Sequence, residues 1–169
     1  MRHLEYKGKI YPKIQDMGNA SKYAIPFAKH YCTGVGVDIG FGKEDWKFPG
    51  AIGADITDAS NDYHATNLPE NLDYIYSSHC LEHLDDWVAA IELWCKSIKH
   101  SGVIFLYLPH PSQEYWLPWN NRKHKHVLHS NDVKNCLHSF GMKYVISSEY
   151  DLNNSYYIVA YNINKIDFI

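Results

Sequence analysis

The chain has 169 residues, enough for one domain, and with 46% apolar and 15% aromatic residues it can bury a substantial core. A net charge of -3 and a pI near 6.4 leave no basic footprint for a nucleic-acid backbone, so nucleic acid is not an expected substrate. No run approaches the roughly 18 to 20 uninterrupted apolar residues of a membrane span, and Met1–Glu5 lacks a signal peptide's apolar stretch, so a cytoplasmic location is expected.

Short β-like runs alternate with helical patterns, which indicates an α/β fold. Val35 to Ile39 reads as a first strand, Ala51 to Ala54 as a second and Tyr74 to Ser77 as a third, each followed by polar or glycine-rich punctuation. Asp85 to Lys99 places Trp87, Val88, Ile91, Trp94, Cys95 and Ile98 at helical spacing, as a core-facing stripe, and Ser101-Gly102 reads as the helix stop. Val103 to Leu108 is a continuous apolar run suited to a central strand buried on both faces and ended by Pro109. From Pro109 to Ser130 the chain offers His110, Tyr115, Trp116, Trp119, Arg122, His124, His126 and His129 without sustained periodicity, and a loop of this length and aromatic content is expected to be functional. Asn131 to Phe140 reads as a helix ended by Gly141, and Tyr144–Ser148 and Ser155–Tyr161 complete one edge of the sheet. Cys32, Cys80, Cys95 and Cys136 lie far apart with no C-x-x-C pair, so reduced, mostly buried thiols are expected.

Asp38-Ile39-Gly40-Phe41-Gly42 ends the first strand, where glycines permit a tight turn and close approach of a ligand to the backbone. A dinucleotide lays its pyrophosphate over such a turn, and the Asp38 carboxylate would repel it. S-adenosylmethionine carries an ammonium and a sulfonium and no phosphate, so it suits an acid there. Seventeen residues later, Asp55 closes the second strand, where an acid accepts hydrogen bonds from ribose hydroxyls.

Asn67-Leu68-Pro69 and the run from Asp73 to Leu84 extend this pattern. The chain resembles the class I S-adenosylmethionine-dependent methyltransferases, specifically the bacterial subgroup with an S-S-H-x-L-E-H-L segment after the fourth strand, here Ser77 to Leu84. The resemblance runs from about Gly34 to Tyr161 and includes His124-Lys125-His126, the helix after it and Gly141-Met142. It implies a Rossmann-like sheet, mostly parallel with an antiparallel last strand, S-adenosylmethionine as cofactor and S-adenosylhomocysteine as product. It assigns Asp38, Gly40 and Gly42 to the methionine moiety, Asp55 with the adjacent Ile56 to the ribose side, and Ser77, Ser78 and His79 to the segment that lines the cofactor and faces the acceptor. Where the family has an Asp-Ala dipeptide at the adenine, this chain has His64-Ala65, which keeps only the backbone contact of Ala65 in place. Ten residues between Gly40 and Ala51 reduce the first helix to a turn around Asp45-Trp46, and the short span from Asp55 to Asp73 prunes the second helix and third strand. By analogy with similar enzymes, the segment 1–33, with Tyr11-Pro12 and Tyr23 to Tyr31, forms a partial lid over the cofactor mouth, and 34–169 is the cofactor-binding domain.

His79-Cys80-Leu81-Glu82-His83 also satisfies the H-x-x-E-H pattern of inverted zinc proteases, whose histidines share a helix face. That chemistry needs a further helical carboxylate and usually a far larger chain, so Glu82 and His83 are expected to cap or orient a short helix, and no metal site is expected. Methyl transfer is an in-line displacement that mainly requires alignment and exclusion of water. If a hydroxyl or amine is methylated, His79, His83, His110 and His124 are the candidates to take its proton. The expected function is methyl transfer to a small-molecule or sugar-like acceptor held by Tyr115, Trp116, Trp119, His110, Asn120, Asn121, Arg122 and His124 of the long loop. A cofactor-binding relative without catalysis is the alternative, and an H-x-x-E-H zinc hydrolase a remote one.

Overall fold

Runs of β-branched and aromatic residues separated by turn residues make strands, and here they assemble into one sheet. The structure, a computed structural model, describes residues 3–12, 19–56, 63–120 and 123–162. A hairpin of β1 (His3–Tyr6) and β2 (Lys9–Pro12) precedes α1 (Ser21–Ala28). Then follow β3 (Gly36–Ile39), β4 (Ile52–Ala54), β5 (Leu72–Ser78), α2 (Trp87–Ser97), β6 (Ile98–Pro109), α3 (Ser130–Ser139), β7 (Tyr144–Ser147) and β8 (Ser155–Tyr161). The six-stranded sheet has the order β4-β3-β5-β6-β8-β7. The first four of these strands run parallel, and β8 lies antiparallel between β6 and β7. This is the mostly parallel sheet with an antiparallel last strand that the sequence implied.

Side chains alternate across a sheet, so register decides which residues share a face. Val37, Ile39, Ile75, Ile104, Leu106 and Ile158 face α2 and α3, where Ile91, Trp94, Val133 and Leu137 are buried against them. Tyr74, Tyr76, Phe105 and Tyr107 face the other way, onto Phe48 and the small residues Ala20, Ala24 and Ala28 in and beside α1. Alanines there let bulky rings reach the helix backbone. With both faces covered, β6 is apolar throughout its central span. α1 lies in the segment expected to form a partial lid, but its buried side belongs to the sheet's core, which therefore crosses the division at residue 33.

α2 is shorter than the periodic pattern. It starts at Trp87 because the Asp86 carboxylate caps it, accepting from the Ala89 N–H at 2.9 Å. Val88, expected in the core, is on the exposed side. At its other end the chain passes straight into β6, where Ile98 pairs with Leu72. Ser101-Gly102 therefore lies inside a strand and is not a helix stop. A Cβ at Gly102 would sit 3.1 Å from the carbonyl oxygens of Leu72 and Asp73, where the register of β5 and β6 shifts, so the glycine serves close backbone approach. Val35 is exposed and precedes β3.

The shortened first helix is the single 3₁₀ turn Glu44–Trp46. Between Ala54 and Leu72 the described residues contain an isolated bridge between His64 and Asn67 and no strand, in keeping with a pruned sheet edge. No described helix is long and apolar enough to cross a membrane.

Trp94 joins the core to the irregular segment before β5: its ring is fully buried, and its Nε1–H donates to the Ala65 carbonyl at 2.9 Å. Trp94→Phe keeps an aromatic ring but strands that carbonyl. Chemical denaturation should give an unfolding free energy lower by about 1–3 kcal/mol, the usual cost of an unsatisfied buried acceptor.

Candidate cofactor and acceptor site

Parallel strands end on one side of the sheet, and the ends of β3 and β4 bring the two acids together there. Asp38 is fully buried, its Oδ2 accepts the Phe48 N–H at 2.7 Å, and its Oδ1 has no hydrogen-bond partner. Burial pushes the Asp38 carboxyl up to about 7; Asp55 adds to the shift, while the Phe48 N–H and Lys47 oppose it. Asp55 is half-buried, and its Oδ2 accepts the Gly42 N–H at 2.9 Å, so the second acid holds the glycine turn. Gly40 and Gly42 are both left-handed, with φ of 76° and 71°. A Cβ at Gly40 would come within 2.6 Å of the Cys80 Cβ, so a side chain is excluded there by packing as well as by backbone, whereas close ligand approach alone was expected. At Gly42 the Trp46 ring lies 3.8 Å from such a Cβ.

Ile56, next to Asp55, is 90% exposed at the same strand end. His64 turns its Nδ1 onto the Thr66 hydroxyl at 3.0 Å, and the Ala65 carbonyl is engaged by Trp94, so the His64-Ala65 pair is built into its own turn. Ser77 donates to the Ile39 carbonyl at 3.0 Å and ties β5 to β3. Ser78 and Tyr76 share the sheet face of Asp38, both are buried, and the Tyr76 hydroxyl interacts with those of Ser21 and Ser78. The sequence pattern gave no sign of Tyr76. It was read only as part of a strand, yet its register opposite Asp38 puts it at the site.

The S-S-H-x-L-E-H-L segment is not helical. His79 is left-handed, with φ of 51°, and Leu81–His83 is a single 3₁₀ turn. The shared helix face of an inverted zinc protease is absent, and Glu82 caps nothing. Its carboxyl is fully buried, and neither oxygen has a hydrogen-bond partner. Around Glu82 Oε1 stand His79 Nδ1 at 3.6 Å, His83 Nε2 at 3.8 Å and His124 Nε2 at 3.9 Å. Burial raises Glu82 to about 8 and lowers His79 to about 3, the latter helped by His124 and His83; burial and His83 lower His124 to about 4. His79 and His124 are therefore uncharged at neutral pH, and both are weak bases. His83 is also lowered by burial.

The long loop lies on β6's end and carries a shallow cleft lined by Pro109, His110, Gln113, Trp116, His124 and Leu128 among others. Trp116 stacks on His124, with ring centroids 5.2 Å apart, whereas Trp119 is 71% exposed and anchors nothing to the core. The Ser112 N–H points at His110 Nδ1 from 3.2 Å, which makes Nδ1 the acceptor and leaves the ring's proton on Nε2. His110 is thus a hydrogen-bond donor toward its surroundings. Asn120 accepts from the Tyr6 hydroxyl at 2.8 Å, while Asn121 and Arg122 lie outside the described residues. The β1–β2 hairpin, not anticipated, docks on this loop through that bond, the Lys9–Glu114 ion pair at 2.8 Å and ring contacts of Tyr6 and Tyr11 with Tyr115.

Two outcomes follow from this geometry. Gly40→Val should lower the thermal midpoint of the ligand-free protein, because it meets Cys80 and forces a branched residue into left-handed backbone; an unchanged midpoint would return the glycine to a purely ligand-facing role. The second concerns pH. An acid raised in the fold binds its proton more tightly folded than unfolded, so its stabilising contribution is complete below the unfolded value of 3.8 and is lost as pH rises through about 7 for Asp38. The lowered histidines act oppositely, but only as pH falls below their unfolded 6.5. Between 6.5 and 8, where Glu82 also titrates, ligand-free protein should lose stability as pH rises, and Asp38→Asn should flatten the slope in calorimetric melts.

The sequence profile described as "Methyltransferase domain" matches residues 16–147. Among curated proteins, none matches this chain by sequence. In fold, the chain is similar to a SAM-dependent methyltransferase from Archaeoglobus fulgidus, with 19% identity and a TM-score of 0.63 over 87% of this chain and 96% of that one. A SAM-dependent methyltransferase from Thermotoga maritima aligns with a TM-score of 0.65 at 12% identity, over 89% of this chain and 93% of that one. A complex between the Haloferax volcanii Trm112 methyltransferase activator and a methyltransferase contains a chain that aligns at 0.67 and 12% identity, over 90% and 92%. Because the profile covers most of the sequence and the sheet has the expected order, the chain belongs to the methyltransferase domain family.

Proposed function

We propose that the protein transfers a methyl group from S-adenosylmethionine to a small, polar acceptor such as a sugar, bound in the cleft of the long loop. The observation that carries the cofactor reading is Asp38: a fully buried carboxyl at a strand end, with one oxygen left without a hydrogen bond beside a glycine turn. Such an oxygen suits a cationic ligand, and the hydroxyls of Tyr76 and Ser78 on the same face suit its polar groups. Asp55, held half-exposed by Gly42, is disposed toward ribose hydroxyls, and the exposed Ile56 offers an apolar surface next to it.

When bound, the cofactor supplies a methyl activated by its sulfonium. The chain's own task is to hold and align the two reactants and to keep water away. His110 and Trp116 line the acceptor side with a donor and a flat ring, a pairing that fits hydroxyls on a compact apolar frame. Of the four histidines weighed as bases, His79 and His124 are kept uncharged and weak by burial, and His110 presents a donor, so orientation is the larger part of their contribution.

Calorimetry with S-adenosylmethionine and S-adenosylhomocysteine tests the cofactor reading. The native protein should bind both, and Asp55→Ala should weaken binding about tenfold or more, the loss of a charge-assisted pair of hydrogen bonds. No binding to folded protein would overturn it. Release of S-adenosylhomocysteine against a panel of sugars and small hydroxylated compounds tests the acceptor reading. Trp116→Ala should slow turnover while leaving cofactor affinity unchanged, and binding with no turnover across the panel would favour a cofactor-binding relative without catalysis.

A further inference from the structure

Five residues meet at the turn after β5, drawn from three distant parts of the chain. Glu82 and its flanking histidines come from the turn itself, His124 from the long loop, and Ser155, at the start of β8, supports His79. The ligand-type atoms of Glu82, His83 and His124 all lie within 4.8 Å of one another.

Hydrogen bonds on the far side of each ring fix which nitrogen faces inward. His83 Nδ1 lies 2.7 Å from the Lys123 carbonyl, which only accepts, and its Nε2 lies 3.8 Å from Glu82 Oε1. His79 Nε2 lies 2.9 Å from the Ser155 hydroxyl, whose own proton goes to the Asn153 carbonyl, so Nε2 is the donor and Nδ1 faces Glu82 bare. The His124 ring has a hydrogen bond with the Trp116 backbone and turns Nε2 inward. Imidazole nitrogens therefore surround a buried carboxyl whose two oxygens lack a hydrogen-bond partner. With Glu82 ionised this set carries a buried negative charge that only a cation or a proton can offset.

We propose that Glu82, His83 and His124 hold one divalent transition-metal ion, with water completing its coordination. This reverses the expectation, drawn from sequence spacing, that no metal is held. Metal–ligand bonds of about 2.0–2.2 Å place tetrahedral donors about 3.3–3.5 Å apart, so the 3.8 and 3.9 Å from Oε1 to His83 and His124, within a set spread over up to 4.8 Å, must contract as the ion binds. Imidazole-rich coordination selects zinc, iron or cobalt over magnesium or calcium, which prefer oxygen. The Lys123 and Trp116 contacts are the outer partners that orient the ligating histidines. His83, whose side chain is one-third exposed, gives the ion its way in.

The test needs no methyl acceptor or cofactor, so its outcome is independent of the methyl-transfer reading. The 169-residue chain is stripped with a chelator, dialysed and titrated with zinc chloride by calorimetry and with cobalt chloride by visible absorption. One equivalent per chain is expected, with d–d bands of nitrogen–oxygen coordination and a raised thermal midpoint, while magnesium chloride at the same concentration gives none of these. His83→Ala and His124→Ala should each weaken zinc binding by about a hundredfold or more, beyond the usual loss for an outer partner, and His100→Ala, an exposed control, should not. Protein that keeps its circular-dichroism signal but takes up no cobalt or zinc stoichiometrically would overturn the proposal. So would uptake that survives loss of both His83 and His124.

Discussion

Strands that run parallel must finish on the same side of their sheet, and everything chemical in this protein follows from that constraint. β3 lies between β4 and β5 and pairs in parallel with both, so Asp38, Asp55 and the Ser77–His79 segment emerge as neighbours although their sequence positions are far apart. The strand order reverses at β3, since β4 lies on one side and β5 and β6 on the other, and that reversal opens a crevice at the strand ends. β6, buried on both faces, carries the same side of the sheet on to Pro109 and delivers the long loop beside it. The pruned edge beyond β4 removes bulk from the periphery and leaves this arrangement untouched.

Two buried carboxyls stand at this end, and they differ in how the fold treats them. Asp38 is given one backbone N–H and left with one open oxygen, within a wall of tyrosines. Glu82 is given no hydrogen bond and is ringed by imidazoles. Neither arrangement helps the isolated fold, because a carboxyl taken from water without full hydrogen bonding costs more than an apolar group of the same shape. Each makes energetic sense as a place prepared for positive charge.

The strand-end acids were legible in the sequence because an Asp and two glycines after a short apolar run are a local signal, carried entirely by adjacent residues. The reduced first helix was equally legible, since ten residues between Gly40 and Ala51 cannot hold more than a turn. The Glu82 cluster was not, because His124 joins it from the loop after a different strand and no spacing rule links the two. Ser101-Gly102 misled because a glycine after a helical stripe looks the same whether it ends the helix or admits a neighbouring strand's backbone. The hairpin was hidden by its turn: Lys7 and Gly8 both have positive φ, and lysine is not a residue that advertises such a turn.

That hairpin rests on the loop through contacts of modest individual strength, the Lys9–Glu114 pair among them exposed to solvent. A surface ion pair is weakened by dissolved salt, while the packing of Tyr6 and Tyr11 on Tyr115 is not. The rings therefore supply the salt-independent part of the hairpin's hold on the 110–120 loop, and dissolved salt weakens only the small part that the ion pair contributes.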